Sequence, residues 1–202
     1  MSISFLWIIL AMGLYGGIHS WLASRSVKDM LERWFGPSIN RFYRLFFNII
    51  GFLTLLPVFW LVQALPDKNL YTIPLPWIFV TSALEFLAVL GLLVGVLQTG
   101  AMSFLGLKQI YQPEVTGKPV QLVVNGLYRR VRHPLYTCGL LFIWLSPHMS
   151  LNWLAFDLSA SLYILIGIQF EERKLLAEFG ENYTRYRKLT PMLIPGLVFN
   201  RY

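Results

Sequence analysis

Three apolar runs of about twenty residues, roughly 3–23, 45–65 and 77–98, constrain this chain more than any other feature. A run of that length matches the hydrocarbon core of a bilayer, where the backbone must satisfy its own hydrogen bonds, so each run is expected to be a helix. A fourth apolar block, 134–170, is too long for one crossing. The segment "SPHMS" (146–150) divides it into a short arm, 134–146, and a longer one, 151–170. The short arm reaches only about 20 Å at 1.5 Å per residue, so it starts inside the membrane edge or forms a hairpin arm that does not fully cross. Composition agrees: 56% of residues are hydrophobic and 13% are charged, about half the charged fraction usual for a soluble domain. The expected fold is an all-α, polytopic membrane protein of one domain, residues 1–202, with five transmembrane segments, the last two a hairpin. A cytoplasmic helical tail is expected to follow.

The net charge of +7 raises the possibility of nucleic acid as a partner, and the placement of the charges removes it. Under a five-segment arrangement every Lys and Arg except Lys68 falls on one side of the membrane, in the 24–44 loop, the 99–133 loop or the tail after 170. The positive-inside rule makes that side the cytoplasm, with the N-terminus outside and the chain in the cytoplasmic membrane. The first apolar run lacks a basic leader segment and reads as a retained span. A single cysteine, Cys138, excludes an internal disulfide and a cysteine-cluster metal site.

Candidate chemistry gathers on the basic side. In "RHPLY" (132–136), Pro134 suits the first turn of a helix, whose positive end would face a pocket ringed by His133 and arginines. Glu171 and Glu172 end the last apolar run, where adjacent acids are electrostatically ill-placed beside a helix C-terminus. Tyr183 and Arg187 follow at helical spacing in "FGENYTRYRKLTP". Carboxylate, aromatic and cationic groups together suit a zwitterionic ligand that carries a cation. Each element also has a plainer reading: arginines that bind lipid headgroups, tyrosines that anchor the interface, a solvated pair of acids. Within the spans His19, Glu85 and Asp157 stand out, because ionisable groups there are functional candidates. Gly13/Gly17 and Gly91/Gly95 have the spacing of close helix packing.

"NGLYRRVRHPLYTCG" (125–139), followed by "EERKLLAEFGENYTRYRKLTPMLIP" (171–195), resembles the isoprenylcysteine carboxyl methyltransferase family of integral membrane methyltransferases, which includes phospholipid methyltransferases. The N-terminal part is similar to bacterial relatives of that family, the methanethiol S-methyltransferases and NnrU-type proteins. The resemblance implies S-adenosylmethionine as methyl donor, bound over a region of about 108–195. By position it implies cofactor contacts from Gln121, Leu122 and Val123, from Tyr128, His133, Pro134 and Tyr136, and from Glu171 with Glu172 beside it; Tyr183 and Arg187 of the tail join this set on their placement in the charged and aromatic cluster. Arg132 and His19 are the candidate catalytic groups, the first favouring a thiolate and the second as a base or acceptor ligand. Isoprenylcysteine enzymes carry an arginine one turn before the first glutamate, where this chain has Gly167. The expected acceptor is therefore hydrophobic or membrane-partitioning, a small thiol or lipid ahead of a prenylated carboxylate. A non-catalytic NnrU-type protein and a sterol-reductase-like, nicotinamide-dependent enzyme are the alternatives.

Overall fold

The computed structural model describes residues 2–112 and 121–196. Pro113, Gly117, Lys118 and Pro119 of the long loop, and the end of the tail, lie outside the described residues. The first half contains α1 (Ile3–Leu22), α2 (Arg25–Phe35), α3 (Ile39–Ala64), β1 (Asn69–Thr72) and α4 (Trp77–Gln98). The second contains α5 (Ala101–Leu105), α6 (Lys108–Tyr111), a 3₁₀ turn (Gly126–Arg129), α7 (Pro134–Trp144), β2 (His148–Ser150), α8 (Leu151–Phe179) and α9 (Glu181–Leu189). Among the described residues four helices, α1, α3, α4 and α8, are long and apolar enough to cross a membrane. This is a helical, multi-pass membrane protein. The expected fifth segment, 134–146, is the 11-residue α7. At about 16 Å it lacks the length to span.

The chain forms two compact units. The first comprises Met1–Asn69, Gly100–Pro119 and Ser150–Ser159. In it α1 packs on α3, burying Ile8, Met12, Val58 and Val62. Gly51 lets the ring of His19 lie against α3, since a Cβ there would stand 3.0 Å from that ring. The basic end of α3 holds the chain beyond α4: Arg44 Nη1 donates to the Ser103 carbonyl at 3.0 Å, and Asn48 Nδ2 to that of Phe104 at 3.0 Å. At the other end Asn152, fully buried, donates from Nδ2 to the carbonyls of Val62 and Leu65 at 3.2 and 3.1 Å. A buried amide thus satisfies carbonyls that the end of α3 leaves without helical partners.

The second unit comprises Leu70–Thr99, Val120–Met149 and Ala160–Tyr202, and it positions the site. Here α7 packs along α4 through a notch made by Gly91 and Gly95. A Cβ on Gly91 would stand 2.6 Å from Cys138 Sγ, and one on Gly95 2.8 Å from Leu135 Cδ2. Small residues allow this close approach, as in membrane helix pairs generally. Beyond the notch, Gln98 Oε1 accepts the Leu127 N–H at 3.0 Å and fixes the 3₁₀ turn on the end of α4. Gly126 has φ +57°, and the Gln98 amide occupies the space a side chain would need. After Trp144 the chain leaves the helix: the Ile73 N–H donates to the Pro147 carbonyl at 2.9 Å beside the pairing of β1 and β2. Trp144 Nε1 donates to Ser161 Oγ at 2.9 Å and ties α7 to α8. Helix α8 runs on past Phe170 as far as Phe179. Gly180, at φ +55°, breaks it and starts α9. Pro191 then prevents α9 from continuing.

Candidate active site

The site forms where the tail returns to the start of α7. Main-chain pairing makes the join: the Arg132 N–H donates to the Pro191 carbonyl at 2.8 Å and the His133 N–H to that of Met192 at 3.2 Å. Thr137 Oγ1 adds a bond to the Leu193 carbonyl at 2.9 Å. Pro134 is fully buried at the first position of α7.

One carboxylate organises everything around it. Glu172, only 7% exposed, takes Arg132 in a two-pronged pair, Nε to Oε1 at 2.8 Å and Nη2 to Oε2 at 3.2 Å. The same Oε1 meets His133 Nε2 at 2.9 Å and the Tyr183 hydroxyl at 2.6 Å. Arg132 has a further prong, Nη1, which donates to the Thr190 carbonyl at 2.6 Å and the Arg187 carbonyl at 3.2 Å. These carbonyls belong to the end of α9, where a cation is favoured. The turn before α7, the end of α8 and α9 are thereby joined by groups that are almost all out of water. Burial, and then the neighbouring Glu172 carboxylate, push the Tyr183 hydroxyl far above its ordinary range, so it acts as a neutral donor.

Glu171 is placed differently. Adjacent residues on a helix point about 100° apart. While Glu172 faces inward, the Glu171 side chain stays 42% exposed. Its Oε2 lies 3.8 Å from His133 Nδ1, and the carboxylate interacts with the hydroxyls of Tyr136 and Tyr128. The His133 and Tyr136 rings sit 5.7 Å apart. The Tyr186 hydroxyl donates to the Tyr128 carbonyl and closes the wall behind them. Tyr128 is pushed up to about 12 by burial and by Glu171, and Tyr186 to about 12 by burial. Both therefore present neutral phenols at physiological pH. The result is an accessible carboxylate beside aromatic rings, with the local arginine already committed to the protein, a setting that suits a cationic group.

The structure thus brings together Tyr128, Arg132, His133, Pro134, Tyr136, Glu171, Glu172 and Tyr183. Arg187 joins through its carbonyl, while its side chain is exposed. Gln121, Leu122 and Val123 form a stretch without regular secondary structure that leads to the 3₁₀ turn, with no hydrogen bond to the two glutamates among the described residues. His19 belongs to the first unit, where its ring stacks with Tyr15 at 5.5 Å and meets Phe47 at 4.5 Å. Asp157 is buried in that same unit. Glu85 is half-buried in the second. Sequence reasoning passed over Thr137, Thr190 and the strap at 191–193. The available signal was the pair Pro191 and Pro195, which end the helix and leave the carbonyls between them without helical partners.

Fold and site together define a multi-pass membrane protein whose polar centre is built at the start of a short helix. Comparison with known proteins narrows the class. Methanethiol S-methyltransferase 2 of Bradyrhizobium diazoefficiens is 31% identical over 199 residues, covering 96% of this chain and 74% of its own length. The methanethiol S-methyltransferase of Mycobacterium tuberculosis is 30% identical, covering 93% and 76% respectively. Over a shorter stretch of 79 residues, protein-S-isoprenylcysteine O-methyltransferase of Schizosaccharomyces pombe is 39% identical, covering 37% of this chain and 33% of its own. No family model matches, and no solved structure does. The chain belongs to the family of integral membrane methyltransferases that holds these proteins, and it is a methyltransferase.

Proposed function

We propose that this enzyme uses S-adenosylmethionine to methylate a small, membrane-partitioning thiol, with methanethiol itself the first acceptor to test. The observation that carries the reading is the division of labour between the two glutamates. Glu172 is consumed by Arg132, His133 and Tyr183, which leaves Glu171 open beside Tyr128, Tyr136 and His133. That donor set fits the cofactor. Glu171 would hold its ammonium or ribose hydroxyls, and the rings of Tyr136 and Tyr128 would face its sulfonium. When bound, the cofactor supplies an electrophilic methyl group. Gln121, Leu122 and Val123 would contact it from the segment entering the 3₁₀ turn.

The chain's own residues then position the partners, exclude water and take up one proton. A thiol that becomes a thioether releases its hydrogen. Glu172 engages His133 Nε2 as an N–H donor, so in the neutral ring Nδ1 carries the lone pair. A proton accepted at Nδ1 leaves an imidazolium between two carboxylates. Arg132 acts here as a brace for the fold of the site, and its charge is balanced by Glu172. Gly167, with nothing within 4 Å of where its Cβ would be, puts no cation one turn above Glu171 to hold an acidic acceptor. The name shared by the full-length relatives favours a thiol over the carboxylate and lipid alternatives. It favours neither the NnrU-type nor the reductase reading.

The basic-side asymmetry supports an N-terminus outside and a C-terminus in the cytoplasm, in the cytoplasmic membrane. With α7 so short, the polar centre at its start would lie below the cytoplasmic surface, within reach of acceptors dissolved in the bilayer. The test is calorimetric titration of the detergent-solubilised protein with S-adenosylmethionine, its demethylated product and a reduced nicotinamide dinucleotide. Binding of the first two alone is expected. Failure of both to bind overturns the proposal, and binding of the third points to the reductase.

A further inference from the structure

The segment between α1 and α3 is more than a charged connector. Ser24 Oγ accepts the Val27 N–H at 3.4 Å and starts α2, and the Gly36 N–H, donating to the Glu32 carbonyl at 2.8 Å, ends it. At 3.6 residues per turn, Val27, Met30, Leu31, Trp34 and Phe35 share an arc of about 140°. The charged residues Arg25, Lys28, Asp29, Glu32 and Arg33 fill the opposite arc. Such a helix ordinarily buries its apolar side, yet only Val27 is buried, while Trp34 and Phe35 are 69% and 67% exposed.

Two features identify what covers that face. The first is continuity: Trp21 at the end of α1 and Phe42 at the start of α3 are also exposed, on two helices built to cross the bilayer. Exposed aromatic residues thus continue from both membrane-crossing helices into α2. The second is charge. The 24–44 segment carries Arg25, Lys28, Arg33, Arg41 and Arg44 against Asp29 and Glu32. An apolar arc with aromatic residues, flanked by an excess of basic side chains, is the make-up of a helix lying in the headgroup layer of an anionic membrane.

We infer that α2 lies in the plane of the membrane, with Trp34 and Phe35 inserted at the acyl boundary and Arg25, Lys28 and Arg33 engaging anionic phospholipid headgroups. It is a lipid-reading surface separate from the site in the second unit, and it does not depend on the reaction proposed above.

The experiment reconstitutes the full chain into nanodiscs of phosphatidylcholine, with and without phosphatidylglycerol, using lipids brominated near the glycerol. Trp34 emission is taken as the difference between the wild type and Trp34→Phe. The expected result is strong quenching of that component by bromine, deeper with phosphatidylglycerol, and little quenching by aqueous iodide. The reverse pattern, iodide quenching without bromine quenching, overturns the inference and assigns the face to an aqueous partner. A second arm counts bound phosphatidylglycerol by native mass spectrometry in an Arg25→Gln/Lys28→Gln/Arg33→Gln variant. Association should weaken about fivefold for each charge removed. Unchanged retention overturns the headgroup contact even if Trp34 is inserted.

Discussion

Replacing Glu172 by Gln should unfold the site, whereas the same change at Glu171 should leave the fold intact. The two residues are neighbours in sequence, so the contrast tests the geometry and not the composition. In Glu172→Gln the carbonyl oxygen of the amide can still accept, but the guanidinium of Arg132 loses its counter-charge while its side chain is only 9% exposed. Removing one partner of a buried pair costs about 3–5 kcal/mol, because the other charge stays buried and unpaired. The Gln amide also sets N–H groups at one of the two oxygen positions, so either Arg132 Nη2 or the donors that meet at Oε1 lose their acceptor. Taking the lower end, about 3 kcal/mol, and roughly 2–4 °C per kcal/mol for a chain of this size, the thermal midpoint should fall by about 6–12 °C. At Glu171 the side chain is 42% exposed, His133 Nδ1 is 3.8 Å away, and a Gln oxygen can still accept from the Tyr136 hydroxyl, so the midpoint should move by no more than about 2 °C. Cofactor affinity should drop at least tenfold in Glu171→Gln. The assay is a thermal melt of purified protein in one detergent, paired with calorimetry. Equal melting losses in the two variants, or a larger loss at Glu171, would refute the assigned roles.

Other expectations follow from single contacts. Arg132→Lys keeps the charge but cannot span both oxygens of Glu172 and the carbonyls of Arg187 and Thr190. It should lower the melting temperature and raise susceptibility to proteolysis after 180, read on a gel. Gly91→Ala should destabilise by about 1–3 kcal/mol by driving its Cβ into Cys138 Sγ. Cys138→Ala in the same chain should recover most of that loss, and a double-mutant melt without recovery would remove α7 from the notch. Gly167→Arg should leave cofactor binding within about twofold and reduce turnover of a neutral thiol at least tenfold, because the new side chain enters the space beside Glu171.

The spans were legible because lipid imposes one blunt requirement. The runs 3–23 and 77–98 correspond closely to α1 and α4. Helix α3 begins at Ile39, before the apolar run at 45, because Asn40, Arg41 and Arg44 turn in helical register outside the apolar core. The apolar arm 134–146 outlasts α7 by two residues, since Leu145 caps the helix with its N–H on the Leu141 carbonyl and Ser146 lies beyond it. In the 24–44 segment the counting of charges hid the period of α2. The cluster around Glu171 and Glu172 was legible as a set of residues, but not their division of labour. Which acid faces inward depends on where Arg132 and Tyr183 arrive, about forty positions earlier in the chain in one case and eleven later in the other. No local pattern encodes that meeting. The role of Arg132 was obscured for the same reason: an arginine near a pocket looks the same in sequence whether it faces a ligand or a buried carboxylate.

The central claim is transfer of a methyl group to a small thiol at the Glu171 face. It is tested most directly by supplying the reconstituted enzyme with methyl-labelled S-adenosylmethionine and methanethiol and collecting the headspace gas. Labelled dimethyl sulfide is expected from the wild type and at least a hundredfold less from Glu171→Ala, with the variant's melting temperature unchanged. Label in dimethyl sulfide at wild-type rate from Glu171→Ala, or none from a well-folded wild type, would contradict it.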